Sequence, residues 1–237
     1  MNLPMERGLR LKLAKPHIDV GLMTGRLEDM LSFWQGPIGL PFKELLPTGA
    51  GNHQHRHDMN GSVFKLNHPR DALPKSPHAG YRSLWIARAG MSESQEFVDP
   101  DGNRVVLVPP GQDGVEGIAL GMVVRNLEAE ARFFREALEL EAIDEGRFRC
   151  GDSIVFAEED PDAVSDAALQ GGGYRYFTIQ VFDCRREHAR ILEAGGVEGF
   201  APRQVGKIAV ISMVRDPDGN WIEISQRGSL TGSLSTS

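Results

Sequence analysis

Asp99-Pro100-Asp101-Gly102-Asn103 returns as Asp216-Pro217-Asp218-Gly219-Asn220, and this repeated turn decides how the chain is read. In each copy the Asp and Asn side chains can bond the local backbone and the Gly permits φ > 0, so the chain reverses into a following strand. Upstream, Gly80-Tyr81-Arg82 returns as Gly173-Tyr174-Arg175. Further upstream, Ile18-Asp19-Val20-Gly21-Leu22 through Leu27-Glu28 to Phe33 returns as Ile118-Ala119-Leu120-Gly121-Met122 through Leu127-Glu128 to Phe133. Three pairs in the same order identify two related halves in tandem.

The intervals between the pairs locate the differences. The helix recurs 100 residues later (Leu27 to Leu127), Gly-Tyr-Arg 93 later (Gly80 to Gly173) and the turn 117 later (Asp99 to Asp216). Between the last two markers the first half is therefore 24 residues shorter, enough for a helix and its connection. About seven additional residues precede Gly80, among 47–53 and 69–79.

His17 to Met23 has the alternation of a strand, and Leu27, Met30, Leu31 and Trp34 have the spacing of a helix burying one stripe, stopped by Gly36-Pro37. Ala131, Phe134 and Leu138 repeat the stripe after Leu127. Strands are expected over 63–66, 83–87, 105–108, 148–156 (broken at Gly151), 177–182, 208–214 and 221–224, with a helix over 185–194. The expected division is an N-terminal extension 1–15, a first domain 16–110 whose second module lacks its helix, a linker 111–117, a second domain 118–227 and a disordered tail 228–237. Each domain is expected to consist of two successive strand–helix–strands units.

The chain has 237 residues, 41% hydrophobic and 25% charged, which is ordinary globular composition. A net charge of -7 argues against a nucleic-acid surface, and no apolar run reaches the roughly 18 residues of a membrane span. Cys150 and Cys184 match no metal or redox spacing and read as free thiols in the cytoplasm.

The strand running through Leu27-Glu28 into the Phe33-Trp34 helix, with the closing Asp216-Pro217-Asp218-Gly219-Asn220-Trp221-Ile222-Glu223-Ile224, resembles the vicinal oxygen chelate superfamily of glyoxalase I, bleomycin-resistance proteins, extradiol dioxygenases and some epimerases. The resemblance covers roughly 16–226. It implies an α+β fold in which tandem βαβββ modules form two cupped mixed β-sheet domains with helices on the outer faces. It also implies metal ligands on the first and last strands of the units. Ala119 and Tyr176 stand where His is usual, and only Glu223 keeps ligand chemistry in the second half. The first-half counterparts are Asp19, Ser83 and Val106, with Lys65 near the place of a further carboxylate. The usual metal triad is therefore not intact.

Glu223 and Tyr176 are the expected catalytic pair, a carboxylate and a phenol facing into one cup. Asp19, Ser83 and Trp85 are expected to bind substrate. His53, His55 and His57 alternate and would share one face of a strand. The expected non-standard metal site is His55 and His57 with Asp19, holding one divalent Fe, Zn, Mn or Ni ion; a solvated polar loop is the alternative. Arg82 and Arg175 are expected to be structural ion-pair partners, and His78 and His188 to lie on the surface. The resulting expectation is an enzyme acting on a small oxygenated or aromatic molecule through an isomerase, lyase or dioxygenase-like step. The alternative is sequestration without chemistry, as in the bleomycin-resistance relatives. The expected partner is a small-molecule ligand or substrate, with no nucleic acid or membrane, and a homodimer is compatible with this reading.

Overall fold

The computed structural model describes residues 11–49 and 51–234. The first unit runs β1 (Asp19–Met23), α1 (Leu27–Gln35), β2 (Phe42–Gly49), β3 (Asn52–Met59) and β4 (Ser62–Pro69), and the second β5 (Tyr81–Ala87), β6 (Gln95–Val98) and β7 (Arg104–Val108). The third has β8 (Ile118–Val124), α2 (Leu127–Glu136), β9 (Glu141–Asp144), β10 (Arg147–Cys150) and β11 (Ser153–Glu159). The fourth has β12 (Gly173–Gln180), α3 (Cys184–Glu193), β13 (Val197–Val205), β14 (Ala209–Arg215) and β15 (Trp221–Arg227), followed by a helical turn, α4 (Gly228–Thr231). Of the predicted stripes, Met30 and Trp34 are buried on α1 and Phe134 on α2, where Phe133 beside the stripe is buried as well and Ala131 is half-buried. Asn126 caps α2 through the Ala129 N–H and Asp183 caps α3 through Arg185 and Arg186, satisfying first-turn donors.

Among the described residues the strands form two sheets, one in the order β13-β14-β15-β12-β1-β4-β3-β2 and one in the order β6-β7-β5-β8-β11-β10-β9. The fold is the expected α+β arrangement of two curled mixed sheets. Its assembly differs from the expectation that successive units close on each other. The first and fourth units share the eight-stranded sheet, and the second and third share the seven-stranded one. Each unit's first strand pairs in parallel with its own last strand, leaving one edge to fill. β1 meets β12 antiparallel, and β5 meets β8.

The repeated motifs fix this exchange. Gly80 N–H donates to Asn220 Oδ1 at 2.7 Å, and the Tyr81 hydroxyl to the Trp221 carbonyl at 2.9 Å. The Tyr174 hydroxyl donates to the Arg104 carbonyl at 3.1 Å. Each Gly-Tyr pair thus binds the closing turn of the opposite half. These tyrosines are buried, and unbonded hydroxyls there would carry the cost of lost hydration.

Register aligns the halves residue by residue. Gly21 pairs with Lys65 and Gly121 with Phe156, so Lys65 and Phe156 are counterparts 91 residues apart. The nine residues lost from the interval of 100 lie in the β2–β3 hairpin, whose strands have eight residues each against four in β9 and β10. Of the two stretches considered, the insertion is at the first. Two other expectations are corrected: residues 228–231 are helical, and Arg175 is buried with no carboxylate partner among the described residues. Its guanidinium donates to the carbonyls of Ala168, Gly171 and Gly172.

Candidate functional site

Four strands of the larger sheet, β15, β12, β1 and β4, carry one row of side chains across its concave face. Glu223 pairs with Thr178, Thr178 pairs with Asp19, and Lys65 lies on β4 beside Gly21. Side chains on a strand alternate between faces, so Asp19 and Gly21 share a face with Lys65, and through Arg56↔Lys65 with Arg56 and Gln54. Lys65 Nζ donates to Glu223 Oε1 at 2.8 Å and to Thr178 Oγ1 at 2.6 Å. Thr178 also bonds Glu223 Oε1, at 3.1 Å. Asp19 accepts from Lys15 Nζ at 2.5 Å, the Val63 N–H at 2.8 Å and Gln180 at 3.0 Å.

Burial sets the electrostatics. Desolvation pulls the Lys65 ammonium below the usual lysine range, against the attraction of Glu223 and Asp19. Burial alone would raise Asp19, but Lys65 and Lys15 more than offset it and hold the carboxyl below its ordinary value. Tyr176 packs over Gly21, where a Cβ would fall 2.2 Å from its Cζ. Its hydroxyl accepts from Gln54 and Asn67 at 3.3 Å each, and Lys65 Nζ sits 5.4 Å from its ring centroid. Burial, reinforced by Glu223, raises the phenol far above the usual range, so it stays protonated.

Two cavities open from this row. One of about 80 Å³ is lined by Lys65, Glu223, Gln54 and Leu46; a larger one of about 680 Å³ reaches Asp19, Lys15 and Lys43. Both are bordered by Arg56 and Arg227, which converge on Glu44 Oε1 at 3.0 Å each.

The smaller sheet carries the same four positions without charge. Register equates Asp19 with Ala119, Lys65 with Phe156, Thr178 with Trp85 and Glu223 with Val106. Trp85 and Phe156 meet edge to face at 5.5 Å, above Ala119, Val106 and Ile154. Trp85 Nε1 donates to Ser83 Oγ at 3.1 Å, and Gly121 leaves room for that hydroxyl. A cavity of about 430 Å³ lies here, rimmed by Arg82, Arg104 and Arg147.

The sequence-derived site residues are thus redistributed. Glu223 and Tyr176 lie together, in a cup that the second half shares with the first rather than in one of its own; Asp19 joins them, while Ser83 and Trp85 lie in the other. Tyr176 is one pleat away from the row; Thr178 takes the position facing Asp19 and was missed, as were Gln54, Arg56 and Gln180. The period-two pattern of β12 offered both Tyr176 and Thr178, and only the β1 register separates them. His55 and His57 share a face with Phe64 and Leu66, opposite Arg56 and Lys65, so the structure does not bring them to Asp19. His57 Nε2 lies 3.1 Å from Gln35 Nε2, and its ring packs beside Phe42 and Phe64. Burial lowers its pKa to about 4. His188 is buried rather than on the surface, 3.0 Å from Glu198.

The divalent metal implied by the superfamily does not fit these side chains. One of the four is an ammonium, Thr178 already accepts from it, and the Asp19 oxygens are engaged by Lys15, Val63 and Gln180. Among the described residues no three His, Cys, Asp or Glu side chains are grouped to hold an ion.

The protein is thus a pair of cups built from four strand-and-turn units, with polar side chains on the first and last strands of one pair. Residues 118–224 match the Glyoxalase/Bleomycin resistance protein/Dioxygenase superfamily. The second half of the chain thus matches that superfamily by sequence, and the whole chain is similar in fold to solved structures. Glyoxalase I of Zea mays is 14% identical, with a TM-score of 0.71 over 92% of this chain and 95% of that one. A Bacillus subtilis protein provisionally described as a dioxygenase is 13% identical, with a TM-score of 0.65 over 92% of this chain and 86% of that one. At such identities the likeness extends to the fold. No curated protein matches the chain. No helix among the described residues is long and apolar enough to cross a membrane.

Proposed function

We propose that the protein is an enzyme acting on a small, oxygenated, anionic molecule in the eight-stranded cup, by proton transfer of the isomerase or lyase kind. The observation that carries this reading is the buried contact of Lys65 Nζ with Glu223 Oε1 at 2.8 Å. Glu223 would take a proton from carbon beside a substrate carbonyl, and Lys65 would stabilise the oxyanion that develops. Returning the proton to the neighbouring atom completes an isomerisation; expelling a leaving group completes a lyase step. Tyr176, neutral and fixed by Gln54 and Asn67, would help position the substrate, and Arg56 and Arg227 would face its carboxylate. The reading also places the protein in the cytoplasm, supported by two buried unpaired thiols; burial pushes Cys150 up to about 12 and Cys184 up to about 11.

The test is deuterium wash-in, followed by NMR, across small 2-oxo and 2-hydroxy acids in heavy water. The wild type should exchange the hydrogen beside the carbonyl of at least one of them, and Glu223→Gln should slow that exchange by roughly 10²-fold or more. Equal exchange by both proteins would end the reading.

The second reading, sequestration without chemistry, is favoured by the 430 Å³ cavity of the other cup, which has aromatic walls and no acid–base pair on its floor. Trp85 and Ser83 would hold the ligand there. A planar aromatic ligand that quenches wild-type fluorescence, fails to quench Trp85→Phe and is recovered unchanged would support it.

A further inference from the structure

We propose that Lys65 is a built-in cation occupying the position that a divalent metal would take between Asp19 and Glu223, so that this cup needs no metal. Three observations carry the proposal, and none depends on the reaction proposed above.

The first is position. Glu223, Thr178, Asp19 and Lys65 stand on four adjacent strands. Lys65, Thr178 and Glu223 are joined by hydrogen bonds, and Lys65 and Asp19 are close enough to shift each other's titration. Lys65 has the stem length to cross from β4 and reach Glu223 and Thr178 on the far side of β1. Tyr176 covers the ammonium, and the missing Cβ of Gly21 makes room for that ring.

The second is charge. Lys65 is paired with Glu223, and Lys15 with Asp19, at 2.8 and 2.5 Å. The buried row is already neutral, and a divalent ion would bring uncompensated charge into it, which a low-dielectric site penalises heavily. Arg56 reinforces this from the neighbouring strand, 94% buried on the same face.

The third is contrast. The same four positions in the other cup are Ala119, Phe156, Trp85 and Val106, so the fold closes without any ion pair there. The charges in the first cup are therefore not a requirement of the architecture. Two of the three Lys65 N–H groups are taken by Glu223 and Thr178; among the described residues nothing accepts the third, which remains for a ligand oxygen.

The experiment is equilibrium dialysis of untagged wild type, Lys65→Glu and Lys65→Gln against Mn²⁺, Zn²⁺ and Ni²⁺, with metal counted by mass spectrometry and melting followed in parallel. The wild type should take up none above background. Lys65→Glu, which converts the row to carboxylates, should bind about one ion per chain and melt higher with metal than without. A folded Lys65→Glu that binds nothing would overturn the proposal. So would a wild type that binds one ion and loses it on Glu223→Gln. If Lys65→Glu does not fold, Lys65→Gln decides: removing one like charge should strengthen metal uptake by roughly tenfold or more, and equal uptake would sink the idea. Failure of the deuterium exchange leaves these outcomes unaffected, so the two readings fail separately.

Discussion

The two cups share one blueprint and differ in what occupies four positions and one hairpin. In the eight-stranded cup the row is Asp19, Lys65, Thr178 and Glu223; in the seven-stranded cup it is Ala119, Phe156, Trp85 and Val106. The hairpin beside the first row is nine residues longer, and its Leu46 and Pro47 line a cavity of about 80 Å³ next to the one of about 680 Å³ that reaches Asp19. Under the shorter hairpin a cavity of about 430 Å³ lies beside Trp85 and Phe156. A charged row under a long hairpin makes a polar site, the one to which the proposed proton transfer is assigned. An apolar row under a short hairpin makes an aromatic-walled site without an ion pair on its floor. The sheet tolerates either, so exchanging counterpart residues between the halves tests what each difference does.

The largest effect is expected in the charged row. Lys65→Met leaves Glu223 buried without its cation, and Glu223→Val leaves the ammonium without its anion. Each should cost about 3–5 kcal/mol in urea denaturation. The double variant approaches the uncharged condition of the other cup and should fall within about 1 kcal/mol of wild type. If the two single losses simply add in the double variant, the row is not an ion pair in the sense argued here.

The helices offer the next contrast. Met30 on α1 corresponds to Glu130 on α2, which is fully buried with neither carboxyl oxygen hydrogen-bonded. Burial raises Glu130 and Asp216 well above the carboxylate range, and their proximity adds to the shift. Raised carboxyls contribute stability that is complete below about pH 4 and is lost as pH rises through their folded values. Wild-type stability should therefore fall between pH 5 and pH 9. Glu130→Met should remove most of that slope and gain up to about 3 kcal/mol at the alkaline end. An unchanged slope would show that the pair does not titrate as argued.

How much of this was legible in the sequence depends on the length scale. Repeated local motifs announced four strand-and-turn units and the missing helix of the second, because turns and amphipathic stripes are written in nearby residues. The exchange of units between sheets was not legible. It rests on Gly80-Tyr81 meeting Asn220-Trp221, a contact spanning 140 residues that leaves no periodic trace. The site followed the same division. Glu223 was readable from its closing strand, whereas its pairing with Lys65, 158 residues away, appeared only with the fold. The histidines show the converse error. Alternation correctly put His53, His55 and His57 on one face, but only the β3–β4 register shows that this face points away from Asp19.

His57 gives the third test, since its counterpart is Phe148, which faces Val155 as His57 faces Phe64. A histidine held at about 4 contributes stability present above its ordinary value and lost as pH falls from about 6.5 toward 4. At pH 5 the loss should reach about 2 kcal/mol. His57→Phe should abolish it while leaving stability at pH 8 nearly unchanged. Melting curves at the two pH values check this. If His57→Phe loses as much stability on acidification as wild type, the acid sensitivity lies elsewhere.

The smallest effect concerns the hairpin's hold on the cup. Glu44 on β2 draws Arg56 and Arg227 together, joining the edge of the sheet to β15, 183 residues apart in sequence. Its counterpart Asp144 pairs with Arg147 of the neighbouring strand, at 3.5 Å. Glu44 is partly exposed, so Glu44→Gln should cost under about 1 kcal/mol, and less in high salt. Access is the more informative readout. With the two guanidiniums released, a small anion should enter the eight-stranded cup faster, while the open seven-stranded cup should bind its ligand at the wild-type rate. Stopped-flow binding separates the two cups: a rate change in both would mean that Glu44 supports the fold as a whole, and a change in neither would mean that the long hairpin closes the site without its ion pairs.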